Sequence, residues 1–209
     1  MTAREPLTVV VTTLNNAATL ERCLASAAFA DERLLVDSGS SDDTLKIAAA
    51  HGCRILHKPF AGYGPQKQWA IEQATHRYVL LLDADEWLPP DCQREIVALL
   101  EALAAGAPAL AGWRIPRREQ IFWQYQHRLA RLNTFLRLVD RTRFRMSAST
   151  VHAAPEVDGP TATLKAAFNH DGEPDIHTKV AKINAYSSGL VQDKLAGIAA
   201  EVGREGWAW

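Results

Sequence analysis

The stretch from Arg77 to Glu86 constrains the fold most, because it is a continuous apolar run that ends in two carboxylates. Val79 to Leu82 lack the polar alternation of a strand with one wet face, so they predict a buried parallel strand covered by helices. Asp83 and Asp85 then emerge beyond the strand, where open α/β sheets bind ligands. Two hard oxygen donors favour Mg²⁺ or Mn²⁺, which suits a diphosphate. A polar strand end that leads into a turn is the alternative.

The first half of the chain repeats one pattern, an apolar run followed by turn residues and a helical segment. The runs predict strands at Leu7–Thr13, Arg33–Asp37, Cys53–His57 and the stretch ending at Asp83. Asn15–Asn16 and Ser38–Ser41 follow two of these strands and can cap helices. A helix from about Pro90 to Ala105 follows the last one. The alternation predicts an α/β fold with an open, mostly parallel sheet flanked by helices.

Beyond Gly106 the rhythm changes. Further strands are predicted at Trp113–Phe122, within Thr134–Met146 and at Thr163–Phe168, with a loop at Ser147–Gly159 and a long helix from about Asp175 to Glu201. With 209 residues, 47% of them hydrophobic, the chain can bury one substantial core, so we expect a single domain.

Composition also bears on the compartment. Cys23, Cys53 and Cys92 are far apart and form no CxxC pair, so neither a disulfide framework nor a zinc site is expected, and a reducing cytoplasm fits best. The N-terminus lacks a charged and then apolar leader. No run reaches the roughly 18 apolar residues of a membrane span. We therefore expect a cytoplasmic protein.

Charge is distributed unevenly, although the net charge is only −1. Residues 114–145 contain nine arginines against Glu119 and Asp140, a net +7, which leaves −8 for the remainder. This segment also carries aromatic residues, so it favours an anionic partner such as a phosphorylated lipid or a membrane surface. A solvated basic face is the alternative. Nucleic acid is not expected, because the segment has no recognisable base-reading motif and most of the chain is acidic.

Several common catalytic motifs are absent from the sequence, namely GxxxxGK[ST], GxGxxG after the first strand, GxSxG and SxxK. What remains is a set of polar residues at successive strand ends: Asn15, Asp37, Asp83 and Asp85. They are expected to line one crevice, where Asp37 can accept hydrogen bonds from a base or a ribose and Asp85 can hold a metal ion. Each alone is more often a cap or turn residue.

Four blocks, VVVTTLNN, LVDSGSSDDT, GYGPQKQWA and LLDADE, occur in order between residues 8 and 88. Together they resemble family 2 glycosyltransferases of the GT-A fold, and among these the bacterial lipopolysaccharide-core β-glucosyltransferases. The resemblance implies a Rossmann-like domain in which 1–106 form the nucleotide-sugar-binding half. It implies that 107–209 form a smaller acceptor-side half with a C-terminal helix.

The resemblance also implies roles for individual residues. The family's donor-binding residues correspond to Thr13, Asn15, Asp37, Gln66, Lys67 and Asp83, and its metal motif to Asp83 and Asp85. Such enzymes invert the anomeric centre. A base deprotonates an acceptor hydroxyl, which attacks the anomeric carbon while Mg²⁺ or Mn²⁺ stabilises the departing nucleotide diphosphate.

The second half departs from the family pattern. Relatives carry Val-His-Glu, whereas this chain has Val-His-Ala-Ala-Pro-Glu at 151–156. Glu156 in a longer loop, or His152 itself, is then the candidate base. His152 can equally be a structural hydrogen-bonding residue. The resemblance extends to His170, to which the sequence assigns no role.

The leading hypothesis is transfer of glucose or another hexose from a UDP-sugar to a lipid-linked or phosphorylated saccharide acceptor. The enzyme would work peripherally at the inner face of the cytoplasmic membrane. There the arginine-rich segment would meet anionic groups and the terminal tryptophans would suit the interface. Alternatives are transfer to a polyprenyl phosphate, whose oxygen is already ionised, and a non-catalytic nucleotide-sugar binding module, which the missing His-Glu pair permits.

Overall fold

The computed structural model describes residues 3–121, 123–127, 129–147 and 154–172, together with helical positions 176, 177, 180, 183, 184 and 187. The helices of the continuous part are α1 (Ala17–Ser26), α2 (Thr44–Ala50), α3 (Tyr63–Glu72) and α4 (Pro90–Ala104), and a 3₁₀ turn covers Arg141–Arg143. The strands are β1 (Leu7–Thr13), β2 (Glu32–Asp37), β3 (Arg54–His57), β4 (Tyr78–Asp83), β5 (Glu86–Trp87), β6 (Gly112–Ile121), β7 (Gln124–Tyr125), β8 (Asn133–Asp140), β9 (Phe144–Met146), β10 (Pro155–Val157), β11 (Thr161–Thr163) and β12 (Phe168–His170).

The centre of the sheet is formed by β2, β1 and β4, which run parallel to one another. Successive residues of β1 enter two different cores. Val9 and Val11 pack with residues of α1 and α4, and Val10 packs with residues of α3 on the opposite face. Because both faces are buried, these strands need no polar alternation. The predicted α/β fold and its buried parallel strands are confirmed.

The register of the parallel strands aligns their carboxyl ends. Thr13 of β1 lies opposite Asp37 of β2, and Thr12 lies opposite Asp83 of β4. Two of the polar residues predicted at strand ends, Asp37 and Asp83, therefore lie along one edge of the sheet together with Thr13.

Strands from the second half of the chain extend the same sheet, whose order is β3-β2-β1-β4-β8-β6-β12-β5. β7 and β11 also pair with β6, and β9 pairs with β10 in a separate two-stranded sheet. β8 is antiparallel to both β4 and β6, and β12 is parallel to β6. β6 and β12 therefore run in the same direction as β4 and end at the same edge.

The sequence-based prediction is wrong at two places in this half. The strand expected at Thr163–Phe168 is a bend between β11 and β12. Glu95 of α4 causes this break by accepting hydrogen bonds from the backbone N–H groups of Lys165 and Ala166. The loop expected at Ser147–Gly159 contains β10.

The helix expected at Asp175–Glu201 lies largely outside the described residues, although its described positions between 176 and 187 are helical. Within the part of the chain that the structure describes, no helix has both the length and the hydropathy to cross a membrane.

Candidate active site

A cavity of about 810 Å³ opens at the carboxyl edge of the sheet. Five of the residues predicted for the site line it: Thr13, Gln66, Lys67, Asp83 and Asp85. Asn15, Asp37 and Glu156 lie outside its lining, and His152 is outside the described residues. Most of the residues that the resemblance assigns to donor binding therefore lie at one cavity, whereas Glu156, the candidate base among the described residues, does not, and the roles of all of them stay predictions.

Asn15 joins two loops at the edge of the cavity. Its backbone is left-handed, with φ 54°, which asparagine tolerates better than most residues. Its Oδ1 accepts a hydrogen bond from the N–H of Ser41 at 2.8 Å, and its own N–H donates to Ser40 Oγ at 2.9 Å. The cap expected from Asn16 is absent, because its Oδ1 accepts from Thr13 Oγ1 at 3.0 Å instead.

Asp37 organises the loop that follows β2, and its side chain is fully buried. Its Oδ2 accepts from the N–H of Gly39 at 2.9 Å and from the N–H of Ser40 at 3.0 Å, and its Oδ1 accepts from the hydroxyl of Ser40. Gly39 has φ 110°, a conformation that a side chain would strain. Burial raises the pKa of Asp37, but the bonds from Ser40 and Gly39 outweigh this and lower it. The structure thus gives Asp37 a loop-shaping role.

Gln66 of α3 lines the cavity and is 2% exposed. Its Nε2 donates to Ser38 Oγ and to the carbonyl of Lys58, both at 3.1 Å. Since Ser38 follows β2 and Lys58 follows β3, this amide fixes both loops against α3.

Asp83 is held between two cations. Lys67 Nζ lies 2.6 Å from Oδ1, and Arg137 Nη2 lies 3.2 Å from Oδ2. Arg137 also pairs with Glu86, whose other oxygen accepts a hydrogen bond from the N–H of Asp83 at 2.9 Å. Burial raises the pKa of Asp83, but Lys67 and Arg137 outweigh it and lower the pKa far below its ordinary value. Burial raises the pKa of Glu86 to about 7, although Arg137 opposes this.

His170 connects Asp85 to β6. Its Nε2 lies 3.4 Å from Asp85 Oδ2, and its Nδ1 lies 2.6 Å from Glu119 Oε2, because β12 and β6 place His170 opposite Glu119. Arg117 donates to the other oxygen of Glu119 at 2.6 Å. Burial lowers the pKa of His170, but hydrogen bonds to Asp85 and Glu119 outweigh it and raise the pKa to about 10.

The donor set fits a divalent cation better at Asp85 than at Asp83. Both oxygens of Asp83 contact cations, whereas Asp85 lines the cavity with the imidazole of His170 beside it. Among the described residues, no group of three or more His, Cys, Asp or Glu side chains is arranged to hold a metal ion. Mg²⁺ keeps several waters and takes phosphate oxygens, so one or two protein donors suffice.

Glu156, the candidate base, lies on β10 outside the cavity lining. Its carboxylate accepts a hydrogen bond from Arg145 Nε at 2.8 Å, and 44% of its side chain is exposed. Its neighbours Ala154 and Pro155 line the cavity instead. The structure therefore does not bring Glu156 to Asp85.

Sequence reasoning missed four charged residues of this site: Glu86, Arg117, Glu119 and Arg137. Glu86 directly follows the Asp-x-Asp pair, which was a usable signal. Arg117 and Arg137 belong to the segment interpreted as a surface for anionic partners, but Arg137 is buried and both line the cavity. The arginines of residues 114–145 therefore do not form a single exposed basic face.

Comparison with known proteins agrees with this geometry. Residues 8–161 match the family model described as "Glycosyl transferase family 2". The lipopolysaccharide core biosynthesis glycosyltransferase LpsC of Rhizobium meliloti is 29% identical, over 90% of this chain and 71% of LpsC. An uncharacterized glycosyltransferase of Rickettsia bellii is 31% identical, over 90% of this chain and 67% of its own length.

Among solved structures, S. aureus TarS 1-349 in complex with UDP-GlcNAc superposes with a TM-score of 0.57 and 18% identity. The match covers 83% of this chain, but this chain spans only 60% of that one. The likeness supports the fold expected from the sequence, an α/β sheet of the GT-A type.

Proposed function

The chain belongs to glycosyltransferase family 2, and on that premise we propose that it transfers a hexose, with glucose as the expected sugar, from a UDP-sugar to a lipid-linked saccharide. The observation that carries the proposal is the position of Asp83 and Asp85 at one cavity with Lys67. The Asp85 carboxylate there suits a divalent cation, and the lysine beside Asp83 suits a diphosphate.

The donor-side residues would act as follows. The Lys67 ammonium would donate to a diphosphate oxygen, and Arg137 would keep Asp83 ionised when Lys67 turns to the donor. Gln66 and the two loops that Asn15 joins would form the wall against the nucleoside. Asp85 and the neighbouring His170 would hold Mg²⁺ or Mn²⁺, which would stabilise charge on the departing UDP. His170 must lose its proton to act as a ligand.

The acceptor is proposed to be a lipopolysaccharide-core or other lipid-linked or phosphorylated saccharide, reached peripherally at the inner face of the cytoplasmic membrane. The name of the Rhizobium meliloti relative supports the acceptor class. Nucleic acid is not proposed as a partner, since two of the arginines in the basic segment line the cavity.

Transfer to a polyprenyl phosphate is a second candidate, and the position of Glu156 favours it. An acceptor hydroxyl needs a base, whereas a phosphate oxygen is already ionised. With the Glu156 carboxylate bound to Arg145, the described residues offer this base less readily than the family pattern implied.

Calorimetric titration of UDP and UDP-glucose, with and without Mn²⁺, tests the proposal on the wild type, on Asp85→Asn and on the exposed control Asp158→Asn. We expect metal-dependent binding that Asp85→Asn abolishes and Asp158→Asn preserves. If the folded wild type bound no uridine nucleotide, the UDP-sugar donor would be wrong. Assays with core saccharides and with polyprenyl phosphate then separate the two acceptors.

A further inference from the structure

The exposed large apolar side chains of the described residues follow, along the chain, strands that end at one edge of the sheet. Eight large hydrophobic side chains are exposed by 48% to 83%: Leu14, Phe60, Tyr63, Trp123, Leu129, Ile176, Val180 and Ile183. Each follows the carboxyl end of β1, β3, β6 or β12, or lies between β7 and β8 at the same edge. We call this set the apolar rim. Singly scattered hydrophobic residues would occupy both edges.

Three members of the apolar rim lie at the cavity. Leu14, Phe60 and Tyr63 line the cavity itself, and Phe60 packs edge-on against Tyr63 at 5.2 Å between ring centroids. Trp123 and Leu129 extend the rim in the connection from β6 to β8, called the hairpin below, where they are 83% and 81% exposed. The rim residues at the cavity and those beyond β6 thus both follow strands that end at the edge where the acceptor is proposed to enter.

The chemistry of the hairpin indicates what covers it. Residues 121–133, which connect β6 to β8, contain two arginines and one histidine but no Asp or Glu. Arg131 is exposed beside Leu129 in sequence. Tryptophan and leucine together with cations and without acids are the combination that binds an anionic membrane interface.

We infer that the apolar rim docks on an anionic lipid bilayer, with Trp123 and Leu129 inserted at the headgroup level and the cavity opening toward the lipid surface. This inference rests on the proposed lipid-linked acceptor. It assigns membrane contact to the hairpin and not to the arginine-rich segment as a whole, because Arg117 and Arg137 line the cavity.

Vesicle flotation tests the inference with the full chain and two vesicle types, phosphatidylcholine alone and phosphatidylcholine mixed with phosphatidylglycerol. The variants are Trp123→Ser with Leu129→Ser, and Trp123→Ser with Ala109→Trp. The second variant moves the tryptophan to an exposed position in the connection before β6, at the opposite edge. UDP binding is titrated for each protein, since neither Trp123 nor Leu129 lines the cavity.

We expect the wild type to float with the anionic vesicles, and both variants to lose roughly tenfold or more in lipid partitioning with unchanged UDP affinity. If both variants floated as well as the wild type, the inference would be overturned. A wild type that binds UDP but no vesicle would overturn it too. A dimer in light scattering that the Trp123 variants dissociate, without vesicle binding, would also overturn it. A wild type that floats by way of the hairpin but binds no uridine nucleotide would refute the proposed donor and leave the rim supported.

Discussion

Nδ1 of His170 lies 2.6 Å from Oε2 of Glu119, while Nε2 of the same ring faces Asp85. A carboxylate on one ring nitrogen orients the other toward a metal ion, and losing it commonly costs 10- to 100-fold in affinity. We therefore predict that Glu119→Gln weakens Mn²⁺ binding by about that factor at saturating UDP. Titration calorimetry measures it, with the exposed Glu72→Gln as control. Unchanged Mn²⁺ affinity in Glu119→Gln would exclude His170 as an oriented ligand.

Lys67→Met removes a cation that lies 2.6 Å from Asp83 and lines the cavity. If Lys67 contacts the diphosphate, UDP affinity falls by roughly tenfold, the value of one charge-assisted hydrogen bond, while uridine affinity stays the same. Lys58→Met is the matched control, because Lys58 lies over the Trp69 ring outside the cavity lining. An equal loss for uridine and UDP would show that Lys67 acts only through the shape of the site.

Arg137→Met leaves Glu86 buried without its main cationic partner. Breaking a buried ion pair on one side costs about 3–5 kcal/mol, so urea unfolding is expected to show a loss of that order. Arg137 also lies 5.3 Å from the Phe168 ring centroid, where methionine retains part of the packing. The double variant with Glu86→Leu is expected to recover part of the loss, because no unpaired charge remains. A single variant within about 1 kcal/mol of the wild type would contradict this prediction.

Glu32→Gln is predicted to lower stability at neutral pH and to flatten its acid dependence. Burial raises the pKa of Glu32, but bonds from Thr8, Thr75 and Arg54 lower it from 4.5 to about 2. A depressed folded-state pKa gives stability that is complete above pH 4.5 and is lost as the pH falls toward 2. We expect a loss of about 1–3 kcal/mol at pH 7, measured by urea unfolding.

The same urea titrations at successive pH values supply the check for Glu32. Glu72 is exposed and receives one side-chain bond, from Gln68, so Glu72→Gln is expected to follow the wild-type curve. Parallel acid profiles for Glu32→Gln and the wild type would rule out Glu32 as a source of acid sensitivity.

The parallel strands in the first half of the chain were predictable because local sequence patterns determine them. The apolar runs of β1, β2 and β4 are buried on both faces, and such strands deliver Asp37 and Asp83 to the same edge. Even so, the local pattern could not show that Asp37 turns inward onto Gly39 and Ser40, since that depends on the backbone of one loop.

The charge network around Asp83 and Asp85 was not predictable from local patterns. Arg137 reaches Asp83 because β8 pairs with β4, and Glu119 reaches His170 because β12 pairs with β6. These pairings join residues that are 54 and 51 positions apart. A sequence segment read by itself shows an arginine or a glutamate but not its partner, so Arg117 and Arg137 were interpreted as surface cations.

Strand β5 directly follows the Asp-x-Asp motif in the chain and is the last strand in the sheet order. This placement bears on how the chain acquires activity as it folds. Trp87 pairs with Asn169, and Asp85 accepts through its carbonyl from the N–H of Asp171. Contacts of such long sequence separation form late, because a large loop must close first. A chain emerging from the ribosome can assemble β1 to β4 and their helices early. The charge arrangement that includes His170 requires residues 168–171, so we expect the site to mature after β1 to β4 have assembled.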